Sequence, residues 1–214
     1  MIIAIDGPAG AGKSTIAKKI AEIINIEYID TGAMYRAVSY KLLNKGINTS
    51  DFQDVVKCLL ETEIDFRNNH IYLDSKDVSD LIRTSEVTSL VSEVSAIKEV
   101  RDKLVYLQRK IGERKSAILD GRDIGTVVFP NADFKFFLTA RPDVRALRRY
   151  EEIKDKAEKV SLEEITKSII ERDLKDTSRE ISPLKKADDA IEIDTSDKGI
   201  EEVVSEIIRI VKGA

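Results

Sequence analysis

The chain has 214 residues, with 35 lysines and arginines against 39 aspartates and glutamates, for a formal charge of −4. That length suits one α/β domain with an insertion and a self-sufficient core, and the charge argues against a general nucleic-acid binder, which would carry a basic excess, while leaving room for a local basic cleft. A single cysteine, Cys58, and a single histidine, His70, leave no internal disulfide, no cysteine-built zinc site and little for a histidine-dependent hydrolase or metal centre.

In chain order, residues 1–5 form a short apolar run closed by Asp6-Gly7, which predicts a strand buried on both faces, as in a parallel sheet. A helix opens near Lys13, with Ile16, Ala17, Ile20, Ala21, Ile23 and Ile24 on one face. Residues 27–30 predict a second strand. Ser50-x-x-Gln53 has capping-box spacing, and Cys58 reads as a small core residue. Residues 63–66 and 70–73 flank Asn68-Asn69 and predict a hairpin, with His70 as a solvated turn residue and residues 76–78 as a third short strand. Residues 116–120, 134–138 and 190–194 predict three more buried strands. Pro142 suits a first helical turn, and Ser161-x-x-Glu164 is a second capping box. Residues 151–164 are densely charged and predict a mobile, solvated segment. Ile200, Val203, Val204, Ile207, Ile208 and Val211 share one face of a last helix. Strands alternating with helices imply right-handed βαβ units, interrupted at residues 38–100 by an inserted lobe with a small antiparallel sheet. No run approaches 18 consecutive apolar residues and no signal-like leader opens the chain, so a soluble cytoplasmic protein without a membrane partner is expected.

The strongest chemical signal is Gly7-Pro8-Ala9-Gly10-Ala11-Gly12-Lys13-Ser14, which fits G-x-x-x-x-G-K-[ST] between a predicted strand and a predicted helix. Glycines let successive backbone N–H groups turn inward onto phosphate oxygens. The helix N-terminus adds partial positive charge, Lys13 a full one, and Ser14 offers a hydroxyl to Mg²⁺. Thr15 either joins this set or serves only as first-turn helix. The loop implies a nucleoside triphosphate. It does not say where the phosphate goes.

A GTPase needs an N-K-x-D guanine loop, and Asn44-Lys45-Gly46 leads to no such aspartate. A small-molecule kinase needs arginines that converge on phosphates, because phosphoryl transfer is mostly positioning and charge neutralisation. Arg36 follows the second strand and Arg122 the strand at 116–120, on the edge where parallel sheets bind ligands. Arg145, Arg148 and Arg149 share one helical face, as do Arg172, Asp176 and Arg179. Taken singly, each arginine reads first as a solvated surface charge or a salt-bridge partner; the set points further, because several follow predicted strand ends on the phosphate-loop side. Asp120 ends an apolar strand, where it either approaches Mg²⁺ or caps a turn.

Asp30-Thr31-Gly32-Ala33-Met34-Tyr35-Arg36, the run from Asp120-Gly121-Arg122-Asp123 through Phe129-Pro130, and Glu171-Arg172-Asp173 through Arg179 with Pro183-Leu184 together resemble the bacterial cytidylate kinases over nearly the whole chain. The resemblance implies ATP-dependent phosphorylation of CMP and dCMP. It implies an α/β P-loop three-layer fold with a central parallel five-stranded sheet, an inserted antiparallel-sheet acceptor lobe (38–100) in a core domain (1–37 and 101–214), and a helical lid at about 145–172. Residue by residue, it implies that Arg36, Arg122 and Arg179 hold the acceptor phosphate with Thr31 nearby. Arg172 and Asp176 would meet the ribose, and Ser92, Arg101 and Asp123 would read the base. Thr195 and Ser196 would pass the adenine of ATP. Lys13, Arg122, Arg148 and Arg172 would stabilise the transferred group, and Ser14 with Asp120 would meet Mg²⁺. The expected partners are small molecules only, on a monomer. Thr31 stands where that family often has serine, and Lys175 where it often has arginine, which loses the forked geometry. The base assignment is chemically coherent: a carboxylate accepts from the cytosine N4 amino group, and a guanidinium donates to N3. Uracil reverses both signs, at a cost of roughly 1–3 kcal/mol for a buried mismatch. Kinases for UMP or shikimate, and a regulatory nucleotide-binding module, share the phosphate loop.

Overall fold

The computed structural model of the chain describes residues 1–67, 70–154 and 161–213. The chain forms two compact units, one of Met1–Tyr28 with Ser116–Ala214 and the other of Ile29–Lys115.

The first unit is built on a five-stranded sheet in the order β2-β6-β1-β7-β8. Its strands are β1 (Ile2–Asp6), β2 (Glu27–Asp30), β6 (Ala117–Gly121), β7 (Phe134–Thr139) and β8 (Ile191–Asp194). The β1 strand lies parallel between β6 and β7, with Ile3 opposite both Ile118 and Phe134, and β8 pairs parallel outside β7. Apolar runs at β1, β6 and β7 are what a strand covered on both faces requires. Helix α1 (Lys13–Ile24) buries Ile16, Ala17, Ile20 and Ala21, and α8 (Ile200–Lys212) buries Val203, Val204 and Ile207 in the same core as Ile3, Ile5, Ile118, Phe136 and Leu138. Asn25 and Gly213 end these helices in left-handed conformations. Two further helices, α6 (Pro142–Ile153) and α7 (Leu162–Ser178), pack together through Ala146, Ile165 and Ile169. Pro142 occupies the first turn of α6, and Ser161 and Glu164 form a complete capping box on α7.

The second unit is organised around α2 (Thr31–Asn44). Around it stand α3 (Phe52–Leu60), α4 (Ser85–Val94), α5 (Lys98–Gly112) and a three-stranded antiparallel sheet of β3 (Ile64–Arg67), β4 (His70–Leu73) and β5 (Lys76–Asp77). Met34, Val38, Leu42, Val55, Ile71, Ile82, Val94 and Leu104 are buried there, and so is Cys58.

Four local expectations change. Ser50 caps no helix: its N–H and hydroxyl turn to Asn48 Oδ1, and Asp51, one residue nearer the apolar face, accepts from Asp54 N instead. His70 is a strand residue bonded to Asp77, because pairing with Arg67 draws it into the ladder. Residues 151–153 are the last turn of α6, carried by the register of Ala146 and Tyr150, and 161–164 are the cap and first turn of α7. Arg179 stands just past α7, with extended backbone, so it does not share the helical face of Arg172 and Asp176. The Asn68-Asn69 turn and residues 155–160 of the charged segment lie outside the described residues.

Candidate functional site

In the first unit the parallel strands end on one edge, and the residues that follow β1, β6, β7 and β8 carry the chemistry. Residues 7–12 leave β1 as a loop and enter α1 at Lys13. Gly7, Gly10 and Gly12 all have positive φ, at 144°, 77° and 85°. At Gly7 a Cβ would fall 1.9 Å from the Leu138 carbonyl oxygen, so any side chain there displaces backbone.

The Lys13 ammonium is buried and donates to Pro8 O at 2.7 Å, inside the curl of the loop. Burial, then the neighbouring Arg122 and Arg172, depress its pKa, against the pull of Asp120 and Asp6. Ser14 Oγ donates to Asp120 Oδ2 at 2.7 Å, and the buried Tyr28 hydroxyl donates to the other oxygen at 2.9 Å. Thr15 is an exposed first-turn residue. The Ser14 and Asp120 oxygens suit Mg²⁺, a hard cation that takes one or two protein oxygens and completes its shell with phosphate and water. Among the described residues there is no group of three or more His, Cys, Asp or Glu placed to hold a metal ion.

Arg122 follows β6, and its Nε donates to Asp176 Oδ2 at 2.9 Å. Asp176, buried on α7, also faces Arg179 at 3.9 Å, and Arg179 Nε donates to Ser182 O at 2.6 Å. One carboxylate thus aligns two of the expected phosphate-binding arginines, and Arg172 lies one turn before it on α7. Asp123, also buried, opens a single wide turn, Ile124–Val128, of the i→i+5 kind: Val128 N donates to Asp123 O at 3.2 Å, and Phe129 N to Ile124 O at 2.7 Å.

On the outer side of the loop, Arg145 donates to Ala140 O at 2.8 Å and Ala9 O at 3.1 Å and pairs with Asp173 at 2.6 Å. Arg148 donates to the Thr195 carbonyl at 2.6 Å and hydroxyl at 3.1 Å, with Gly10 O at 3.4 Å. The Thr195 hydroxyl lies 3.2 Å from Ala11 O, and Ser196 Oγ accepts from Arg141 N at 2.9 Å. Of the two expected adenine-side residues, Thr195 braces a loop carbonyl together with Arg145 and Arg148, whereas Ser196 holds the Arg141 backbone. Arg149 pairs with Glu152 instead.

In the second unit, Asp30 caps α2 by accepting from Ala33 N at 2.8 Å, and its other oxygen holds Arg36 at 2.7 Å and Arg83 at 3.4 Å. Thr31 is buried beside that cap. Arg101, buried in the first turn of α5, donates to Ser95 O at 3.1 Å and lies over the Tyr35 ring at 5.4 Å. Ser95 Oγ donates to the Ser92 carbonyl at 3.1 Å, so Ser95 links the Ser92 backbone to Arg101.

Sequence reasoning missed Asp6, Tyr28, Asp30, Tyr35 and Arg83. The signal for Asp30 was present, since an aspartate just before a helix is a cap. Nothing local marks Tyr28 or Tyr35.

Among the described residues no helix is long and apolar enough to cross a membrane. A family model described as cytidylate kinase matches residues 3–213. A cytidylate kinase of Clostridioides difficile is 55% identical over 97% of this chain and 96% of its own length. One of Fusobacterium nucleatum is 52% identical over 96% and 94%. Among solved structures, a sugar kinase from Janibacter matches 99% of this chain and 94% of its own with a TM-score of 0.51 at 13% identity, a likeness of fold alone.

Proposed function

We propose that this chain, which belongs to the cytidylate kinase family, transfers the γ-phosphoryl group of ATP to cytidine monophosphate, and to its deoxy form, by direct in-line displacement. The observation that carries the reading is the cationic ring of the first unit, where buried Lys13 feels both Arg122 and Arg172, and Asp176 ties Arg122 to Arg179.

The backbone N–H groups of residues 7–14 and the Lys13 ammonium hold the β- and γ-phosphates. Arg122, Arg172 and Arg148 spread their charge over the moving group, with Arg148 reaching it by leaving Thr195. Arg36, Arg122 and Arg179 hold the acceptor phosphate, with Thr31 beside it. Arg172 and Asp176 meet the ribose, and Ser92, Arg101 and Asp123 read the base. Thr195 and Ser196 pass the adenine. No general base is needed, because the attacking phosphate oxygen is already anionic near neutrality. Ser14 and Asp120 would hold Mg²⁺, whose chemistry when bound is to neutralise charge on the β- and γ-oxygens. Residues 38–100 act as the acceptor lobe within a core of 1–37 and 101–214, and about 145–172 act as the lid that excludes water. The setting is the cytoplasm, where nucleotide pools are, and the enzyme works as a monomer.

A coupled assay of ADP release with CMP, dCMP, UMP, AMP and shikimate tests the reading. CMP is expected to turn over at least about tenfold faster than UMP, AMP or shikimate. Equal rates with UMP, or ATP binding without acceptor-dependent ADP release, would overturn it.

A further inference from the structure

Asp6 is the last residue of β1 and stands immediately before the phosphate loop. Its side chain is buried, and its charge is felt at Lys13. Its two oxygens accept from Ile124 N at 2.8 Å and Gly125 N at 2.7 Å, more than a hundred residues away. Those are the first two N–H groups of the wide turn that follows Asp123, and the first N–H groups of any helical turn need an acceptor.

The ordinary provider of that acceptor is the residue at the N-cap, and aspartate is among the best. Here the N-cap is Asp123, yet it makes no side-chain hydrogen bond to its own turn. Asp6 occupies the position instead. The fit around it is close: a Cβ at Gly125 would lie 3.4 Å from Asp6 Oδ2 and 3.2 Å from Lys135 Cδ. Lys135 is itself fixed by Pro130 O at 2.5 Å and Asp189 at 2.7 Å, so that side cannot yield freely.

We propose that Asp6 is a positioning residue for acceptor specificity, capping the 124–128 turn from β1 so that Asp123 is directed at the acceptor's base rather than at its own turn. The inference rests on the reading of Asp123 given above. Without the remote cap, Asp123, as the N-cap carboxylate, takes over the orphaned N–H groups and turns inward to do so. Asp6 then acts on the base without touching it.

Asp6→Asn keeps the shape but offers one accepting oxygen where two are used. It is expected to raise KM for CMP about tenfold, with a change in KM for ATP at least about fivefold smaller, and to shrink the CMP-over-UMP preference about tenfold. Asp123→Asn should shrink that preference comparably. The double variant should be no worse than the poorer single one to within about threefold, because both changes remove one interaction. Gly125→Ala, which crowds the tether without altering a carboxylate, provides a second approach if Asp6→Asn does not fold, and should move the same preference in the same direction. Losses that multiply in the double variant, or a preference unchanged in Asp6→Asn and Gly125→Ala while kcat falls, would overturn the proposal and leave Asp6 a structural residue. A wild-type chain that does not favour CMP over UMP overturns the base reading itself, which keeps the two failures distinct.

Discussion

Burial drives Asp6 and Lys13 in opposite directions, and the pair makes the site sensitive to pH. Desolvation raises the Asp6 carboxyl from the usual 3.8 to about 7, against the lowering effect of the Gly125 and Ile124 N–H groups. Between those values the folded chain holds a proton that the unfolded chain has released, so this contribution to stability falls as pH rises from about 4 to about 7. Lys13 is pushed down from 10.5, so above neutrality the unfolded chain holds the extra proton and stability rises with pH. Thermal denaturation of the nucleotide-free protein should therefore reveal a contribution that is weakest near neutrality, and Asp6→Asn should flatten its acid limb. Phosphate oxygens placed against Lys13 restore its charge. Binding of a non-hydrolysable ATP analogue should then take up protons on the alkaline side of neutrality, measured by calorimetry in buffers of different ionisation enthalpy. Lys13→Ala should abolish both that uptake and transfer while leaving the circular dichroism spectrum intact.

At the scale of elements, the site depends on how helices begin. Helix α7 carries Arg172 and Asp176, and its first turn is held by the reciprocal bonds of Ser161 and Glu164, at 3.1 Å and 2.9 Å. Ser161→Ala should cost about 1 kcal/mol, seen as a drop of about 2–4 °C in melting temperature and faster amide exchange in the first turn of α7. Gly7→Ala is the harsher case, since the clash is with the backbone of β7, and loss of soluble folded protein is the expected result. Much at this scale was legible in the sequence. The phosphate loop, Pro142, the Ser161 box and all five sheet strands announce themselves by local pattern. Ser50 was misread because Asp51, a stronger candidate one residue on, offers the same spacing to a helix shifted by one position. The remote partners were not legible, because Tyr28 to Asp120 and Asp6 to Ile124 join residues about a hundred apart that carry no mark of each other. The arginines were visible as a set, but their assignments were not. Arg145 reads as one of three equivalent cations on a helical face, yet its donors are spent on two carbonyls and Asp173, because its position on α6 points it at the backbone of the loop.

Over the whole molecule, the strand at the centre of the sheet is the first one in the chain, and both its neighbours lie beyond residue 116. The unit formed by Ile29–Lys115 lies wholly between them in sequence. Pairing β1 with β6 and β7 closes loops of more than a hundred residues, whereas the packing among α2, α3, α4 and α5 all falls between Thr31 and Gly112. On a ribosome, β1 therefore emerges with nothing to pair with, and the apolar stretch that will carry the phosphate loop waits while the later segment compacts. Pulse-labelled hydrogen exchange during refolding should register protection in residues 31–44 and 98–112 before residues 2–6, and equal rates would count against that order. The part of this enzyme that carries its phosphate loop is thus the part whose sheet partners are made last.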